Sequence, residues 1–486
     1  MSARRPRTSV RLLQVVHRFP PEFRAGTELF TERLSLALTA RGHEVVVLTT
    51  TKEISAPELE RREREHRGLR VIELVRNLGH ASFRETWDDP AATAAFESVL
   101  AEVRPDLVHF QHLLGLGVGC VDVVRRAAIP AVMTLHDYWP QCARLGQRLH
   151  ADGTLCAQLT AERCGGCLVD FKWRQTALEA RVGDALGRLR RATGVDLGPL
   201  AVRLTRGRGR AAGQSAERPP LETARIEATE EARALAGEVR VRDAELRERL
   251  CAGIACFTSP SAFLRERFVE WGLPAESVKH VPTAVPALGG ADAPLQVAPQ
   301  IPLQILFLGS LVPAKGAHVL LDAWALLSRD QRARARLAVH GPALDERYAR
   351  ELERRANDVG AHFGGPLAAD DVASALAAAD VLVVPSLWWE NAPLVVLEAA
   401  RAGTPVLASD HGALRDLVVA GRTGERFPPG DAAALARILA GWIDEPAALA
   451  RYRPREVAMP DEGEWTSAFE ALYAQALALR ERKGAE

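Results

Sequence analysis

Charge of one sign is what this chain most plainly lacks: its 62 basic and 62 acidic side chains cancel. A nucleic-acid partner usually leaves a basic excess, so the balance argues against one. Long apolar runs are also missing, and none approaches the roughly 18 residues a membrane-crossing helix needs. The N-terminal MSARRPRTSVRLLQVV is basic and then apolar, but no small-residue cleavage site follows, so it is read as a tail and a strand rather than a signal peptide. Seven cysteines in 486 residues make a disulfide framework implausible, and without an export signal the chain is expected in a reducing cytoplasm. No G-x-G-x-x-G follows the first strand, which excludes the dinucleotide fingerprint there. No internal repeat stands out. Nor is there a DXD-type carboxylate pair at a strand end, which fits catalysis without a divalent metal.

What is present is an α/β alternation long enough for two domains. Short apolar runs, Val10–Val16, Leu69–Val75, Leu107–Phe110 and Ala131–Asp137, read as buried strands of a first half. Thr27–Arg41 and Ala91–Val103 read as helices between them. Gly253–Pro260 resumes that sheet, and Pro282–Pro302, rich in Pro, Ala and Gly, reads as a linker. Ile305–Gly309, Arg334–Gly341, His362–Gly365 and Val381–Val384 continue the pattern in a second half. The most informative stretch is DVLVVPSLWWENAPLVVLEAARAGTPVLASD, from Asp380 to Asp410. It reads as a strand, a loop, a helix over Pro393–Ala402 and a second strand, Val406–Ala408. Glu390 and Glu398 fall where helix N-termini and strand ends meet, the place where open α/β sheets bind ligands. A carboxylate near a helix start is often a dipole partner, which accounts for Glu390 but not for Glu398 deeper in.

The E-x7-E spacing followed by A-x-x-G-x-P-V resembles the donor-binding signature of retaining glycosyltransferases of family 4. The resemblance implies a GT-B fold, two doubly wound Rossmann-like domains facing across a cleft. It places an acceptor-side domain at 1–283, a nucleotide-sugar-binding domain at 303–463, and a final helix (Trp465–Arg482) crossing back within 464–486. It further implies that Glu398 holds the ribose and Glu390 the sugar of a nucleotide-sugar, with Asn391, Ala392, Pro393 and Leu394 around them. GSLVPAKG is similar to the family's diphosphate-gripping element: Gly309, Lys315 and Gly316 match, while Ser310 stands where arginine is usual. A lysine at a helix start is a sound point-charge ligand for phosphate. PPEFRAGTE looks like the family's first loop, with Ala25 in place of the first glycine and Gly26 retained. Gly26 serves either a close backbone approach to acceptor or diphosphate, or a tight turn needing positive φ. Family members commonly carry histidine at the end of the Leu107–Phe110 strand, which nominates His109 and His112 to donate to or orient a hydroxyl. His136 and Asp137 end the next strand.

The implied reaction moves a sugar from a nucleotide diphosphate to a hydroxyl of a saccharide, lipid-linked or small-molecule acceptor, with retention. No clear carboxylate nucleophile is legible on the first-domain face, which favours a front-side, ion-pair-like departure over a double displacement. Two other readings stay open: a nucleotide-sugar epimerase or phosphorylase, and a silent nucleotide-sugar-binding module, motivated by Ser310 and Ala25.

Cys142, Cys156, Cys164 and Cys167, spaced C-x13-C-x7-C-x2-C in a segment over 138–168, have the donor set of a structural zinc site. Four semi-buried thiols without metal, an iron–sulfur cluster and a disulfide are the alternatives. Phe171–Leu250 reads as a helical insertion. Its first part carries Arg181, Arg188, Arg190, Arg191, Arg203, Arg206, Arg208 and Arg210 among Leu186, Leu189, Leu197, Leu200 and Leu204. It is either an exposed helical pair or a peripheral contact with an anionic membrane face.

Overall fold

The computed structural model describes residues 9–77, 79–150, 152–169, 171–194, 229–286 and 301–485. The first lobe is built on β1 (Arg11–Val15), β2 (Glu44–Thr51), β3 (Arg61–His66), β4 (Leu69–Val75), β5 (Leu107–Phe110), β6 (Ala131–Thr134), β7 (Cys256–Ser259) and β8 (Val278–His280). Their order is β3-β4-β2-β1-β5-β6-β7-β8. The second lobe holds β9 (Leu303–Leu308), β10 (Ala335–His340), β11 (His362–Gly365), β12 (Val381–Val384), β13 (Val406–Ser409) and β14 (Gly424–Phe427), ordered β11-β10-β9-β12-β13-β14. Every pairing is parallel except β3 with β4. Two such sheets with helices between their strands are the GT-B architecture expected above.

The strands read from apolar runs are buried along their length, as in β5, β6, β12 and β13. β3 was not anticipated, because RREREH carries no apolar residue. It forms as an antiparallel edge whose charges stay near water and pair with β4, Arg64 Nε with Glu73 Oε1 at 2.7 Å and Arg70 Nε with Glu63 Oε2 at 3.0 Å. Charged edges of this kind also discourage pairing with other chains. The helix after β12 runs Leu394–Ala402, so Pro393 is its cap rather than its first residue. The insertion contributes helices Ala177–Thr193 and Glu230–Gly253. Its segment 195–228, with Leu197, Leu200, Leu204, Arg203, Arg206, Arg208 and Arg210, lies outside the described residues, as does 287–300 of the linker.

The terminal helix, Glu462–Ala485, packs on the first lobe. Trp465, Phe469, Tyr473 and Ala476 join Leu12, Phe30, Leu34 and Val132 in one buried cluster of the first lobe. Trp465 meets Phe30 edge-on at 4.9 Å, and Arg41 clamps the helix through Glu470 at 2.6 Å and the Gly463 carbonyl at 2.6 Å. Trp465→Ala is expected to lower unfolding free energy by about 3–5 kcal/mol, because a residue of that size leaves a cavity when truncated. A denaturant melt measures it, and a loss below about 1 kcal/mol would mean the helix is not anchored there.

Candidate functional site

A cleft of about 990 Å³ separates the lobes and is lined from both. Residues just past the carboxyl ends of the strands form its walls: His17 after β1, Asp137 after β6, Gly309 and Ser310 after β9, and Ser386 after β12. That is where a doubly wound sheet binds ligands. The helices Gly26–Ala40 and Leu394–Ala402 also bring their first residues to it, one from each lobe.

Lys315 and Glu390 meet on the second-lobe wall. Lys315 Nζ donates to Glu390 Oε1 at 2.7 Å, and the same oxygen accepts from Ser386 Oγ at 2.6 Å and Trp388 Nε1 at 2.9 Å. Burial opposes the charge on Glu390, but the Lys315 ammonium and these donors outweigh it and hold the carboxyl below its usual range. The ammonium also lies 5.2 Å from the Trp388 ring centre. Next in the chain, Trp389 packs into the first lobe against Phe263 and Tyr138, under the Arg148 guanidinium at 5.0 Å. Asn391 Nδ2 donates to the His136 carbonyl across the cleft at 2.8 Å. Gly309, Ser310, Asn391, Ala392, Pro393 and Leu394 line the cavity, as do Ala25, Gly26, His136 and Asp137.

Three expected site residues do not line it. Glu398, a turn below the helix start, is not on the cavity wall and lies under the influence of Arg33 of the opposite lobe. Arg33 Nε and Nη2 have no hydrogen-bond partner. Burial pushes the Glu398 carboxyl up, and Arg33 only partly reverses this. A carboxyl raised in the fold stabilises it most below the unfolded value and loses that contribution as pH rises through the raised one. Glu398→Gln is therefore expected to melt no lower than the parent at pH 8, with the difference vanishing near pH 4. A variant much less stable at pH 8 would show the ionised pair to be structural.

His109 is a correction. It is fully buried, its Nδ1 2.7 Å from Tyr473 Oη and its Nε2 2.8 Å from Thr134 Oγ1. Burial and nearby His136 hold it neutral, its pKa down at about 3. Because β5 is central and the terminal helix covers it, His109 ties that helix to the sheet instead of meeting substrate. His112 lies one layer behind the wall: its Nδ1 accepts from the Leu114 amide at 2.9 Å, so Nε2 carries the proton toward Asp137 Oδ2 at 3.1 Å. It positions Asp137. Gly26 opens its helix without a positive φ, and a side chain there would meet nothing within 4 Å. The tight-turn reading of Gly26 does not hold; the space beside it belongs to the cleft.

The structure adds His17, Glu28, Arg144, His150, Lys172 and Trp388 to the walls. For His17 a signal existed, since it falls just past the first strand, the rule that nominated His136; Glu28 opens the helix that follows, at the end of the PPEFRAGTE stretch. Glu28 adds a second first-lobe carboxylate beside Asp137, which already stood among the strand-end residues expected at the site. Arg144 and His150 come from the cysteine-bearing segment, whose loops no periodicity marks.

Cys142, Cys156, Cys164 and Cys167 do converge, with His150, on a cavity of about 20 Å³. His150 Nδ1 lies 3.1 Å from Cys167 Sγ, and Cys156 Sγ donates to the Gln158 carbonyl at 3.3 Å. Burial and the neighbouring thiols push Cys164 up to about 12. Among the described residues no three His, Cys, Asp or Glu side chains are already set as metal ligands. Two buried guanidiniums flank the cavity: Arg148 donates to the Cys156 and Ala157 carbonyls, and Arg242 to those of Trp139 and Pro140.

Residues 24–166 match the model described as Glycosyltransferase Family 4, and residues 296–456 that described as Glycosyl transferases group 1. A D-inositol 3-phosphate glycosyltransferase of Streptomyces avermitilis is 39% identical over 177 residues, 34% of this chain and 38% of that protein. A phosphatidyl-myo-inositol mannosyltransferase of Mycolicibacterium smegmatis is 34% identical over 191 residues, 38% of this chain and 48% of that protein. The chain thus spans less than half the length of these curated relatives. Among solved structures, Anabaena HepE in complex with UDP and glucose superimposes with a TM-score of 0.54 at 16% identity, covering 98% of each chain. Sucrose-phosphate synthase of Thermosynechococcus elongatus gives 0.59 at 18% identity, covering 97% of this chain and 100% of that one. The fold, the two matched segments and the cleft between them place this chain in glycosyltransferase family 4.

Proposed function

We propose that the chain transfers a sugar from a nucleotide-diphosphate sugar to a hydroxyl of a saccharide or lipid-linked acceptor, with retention at the anomeric carbon. The observation that carries this is Lys315 standing at 2.7 Å from Glu390 on one wall of a cleft that two helix N-termini enter from opposite lobes. Free backbone N–H groups at helix starts and one ammonium suit a diphosphate, and they do the work that an arginine at Ser310 would share. Glu390 releases part of its bonding to Lys315 and takes sugar hydroxyls as the donor enters; Glu398 reaches the ribose once Arg33 gives way. Charge on the departing diphosphate is met by these groups without a divalent ion. Incubation with UDP- and GDP-hexoses tests this: slow donor hydrolysis that persists in EDTA and keeps the anomeric configuration supports it. Tight binding without turnover would favour a silent binding module, and inversion of a sugar centre without transfer an epimerase.

The four-cysteine cavity is proposed to take a structural zinc ion once its thiols turn inward, the thiolate charge offset by Arg148 and Arg242. Stoichiometric zinc in purified protein supports this; folded, metal-free protein overturns it. No helix among the described residues is long and apolar enough to cross a membrane.

A further inference from the structure

Two carboxylates of the first lobe line the cleft, and their surroundings drive them apart. Asp137 is satisfied: Oδ2 faces His112 Nε2 at 3.1 Å and Oδ1 accepts from the Trp139 amide at 2.7 Å. Burial opposes its charge, but His112 and these hydrogen bonds hold it below the usual carboxylate range. Glu28 is the opposite case. It sits in the first turn of its helix, 3% exposed, with Oε1 at 3.4 Å from His17 Nε2 and Oε2 without a hydrogen-bond partner. Burial pushes its carboxyl above the ordinary range, and the backbone amides of Glu28 and Ala25, with Arg18 and His112, relieve this only in part. His17 Nδ1 is likewise buried without a partner, and burial keeps that ring neutral.

Unmade hydrogen bonds of this kind are a cost to the fold, and folding gains nothing from them. Here two such atoms belong to adjacent side chains on one wall of a cleft. Carboxylates with divergent environments in one site divide the labour of a reaction, the raised one moving protons and the depressed one keeping its charge.

We propose that Glu28 is the catalytic base that receives the proton of the acceptor hydroxyl, with His17 holding it in place; this rests on the glycosyl-transfer reading above. In the step, the acceptor O–H bond breaks and its proton passes to Glu28 Oε2. The acceptor oxygen forms its bond to the anomeric carbon as the bond from that carbon to the donor phosphate oxygen breaks. That electron pair leaves with the nucleoside diphosphate, and Glu28 later returns its proton to water. The titratable and charged groups acting on Glu28 are His17 and Arg18 of the loop after β1 and His112 beyond β5.

The test uses the full chain with UDP-glucose and GDP-mannose as donors and water as acceptor. Glu28→Gln is expected to keep UDP or GDP affinity while hydrolysis falls on the order of 10²–10⁴-fold, the range a positioned base supplies. The acidic limb of the parent pH–rate profile lies above the ordinary carboxylate range and disappears in Glu28→Gln. Formate restores part of the rate to Glu28→Ala. Unchanged hydrolysis by Glu28→Gln overturns the assignment, and so does nucleotide affinity falling in step with rate. Should Glu28→Gln fail to fold, a parent profile with no such limb overturns it without any variant. A parent protein that neither binds nor hydrolyses a nucleotide-sugar is a different result, and it removes the glycosyl-transfer reading itself.

Discussion

Lys315→Ala is expected to lower donor turnover by on the order of 10²–10³, the loss seen when one preorganised charge-stabilising donor is removed. Stability falls with it. Glu390 is buried and shares one oxygen among Lys315, Ser386 and Trp388. Removing the cation leaves a buried carboxylate with two neutral donors, and breaking a buried pair from one side costs about 3–5 kcal/mol. The surviving Ser386 and Trp388 contacts, and the partial exposure of Lys315, place this case at the lower end. The pH dependence has a definite sign. Glu390 is held below its usual range, so its contribution is present above the unfolded carboxylate pKa and lost as pH falls through the depressed one. The gap in melting temperature between parent and Lys315→Ala should therefore be widest near pH 7 and close below about pH 4. A gap that stays constant with pH would show that the ion pair is not its source.

Gly316→Ala should be harsher on the fold. Gly316 has φ +71°, and a Cβ there would lie 1.9 Å from the Pro385 carbonyl oxygen, a backbone atom that cannot step aside. Strain at a left-handed φ and a backbone clash both belong to the short list of changes that exceed about 4 kcal/mol. The residue joins the turn bearing Lys315 to the helix Ala317–Leu326, so relief of the clash carries Lys315 off its partner. Loss of cooperative melting, or a fall in midpoint large enough to abolish donor binding at room temperature, is the expected result. Gly26→Ala is the internal comparison: with no positive φ and nothing within 4 Å, it should leave stability intact. Its methyl enters the cleft, so any loss there appears in turnover. Equal stability of the two alanine variants would contradict the geometry at Gly316.

The sequence and the structure agree where one local property decides the outcome. Buried parallel strands must be apolar along their length, so Val381–Val384 and Leu107–Phe110 were legible as strands with no knowledge of their neighbours. The same logic missed RREREH, which becomes a strand only because β4 offers it an antiparallel edge. On the second lobe the motif residues Lys315, Glu390 and Asn391 line the cleft, because they lie on a strand–loop–helix segment or its neighbour. On the first lobe the strand-end rule nominated His109 and His136 alike, but only His136 lines the cleft. The terminal helix, more than 300 positions away in the chain, covers His109 and bonds it through Tyr473.

By its residues alone this chain determined its layer architecture, its strand–helix alternation and the family whose donor motif it carries. Those follow from side-chain period and local turn chemistry, which act over a few residues. Only the tertiary structure decided that Glu28 and His17 face Lys315 across one cleft, and that Glu398 first answers to Arg33. It also decided that four cysteines and His150 share one small cavity. Burial, orphaned hydrogen bonds and charge proximity are properties of groups distant in sequence, and they come into being only when the strands and helices of each lobe, and then the two lobes, pack together.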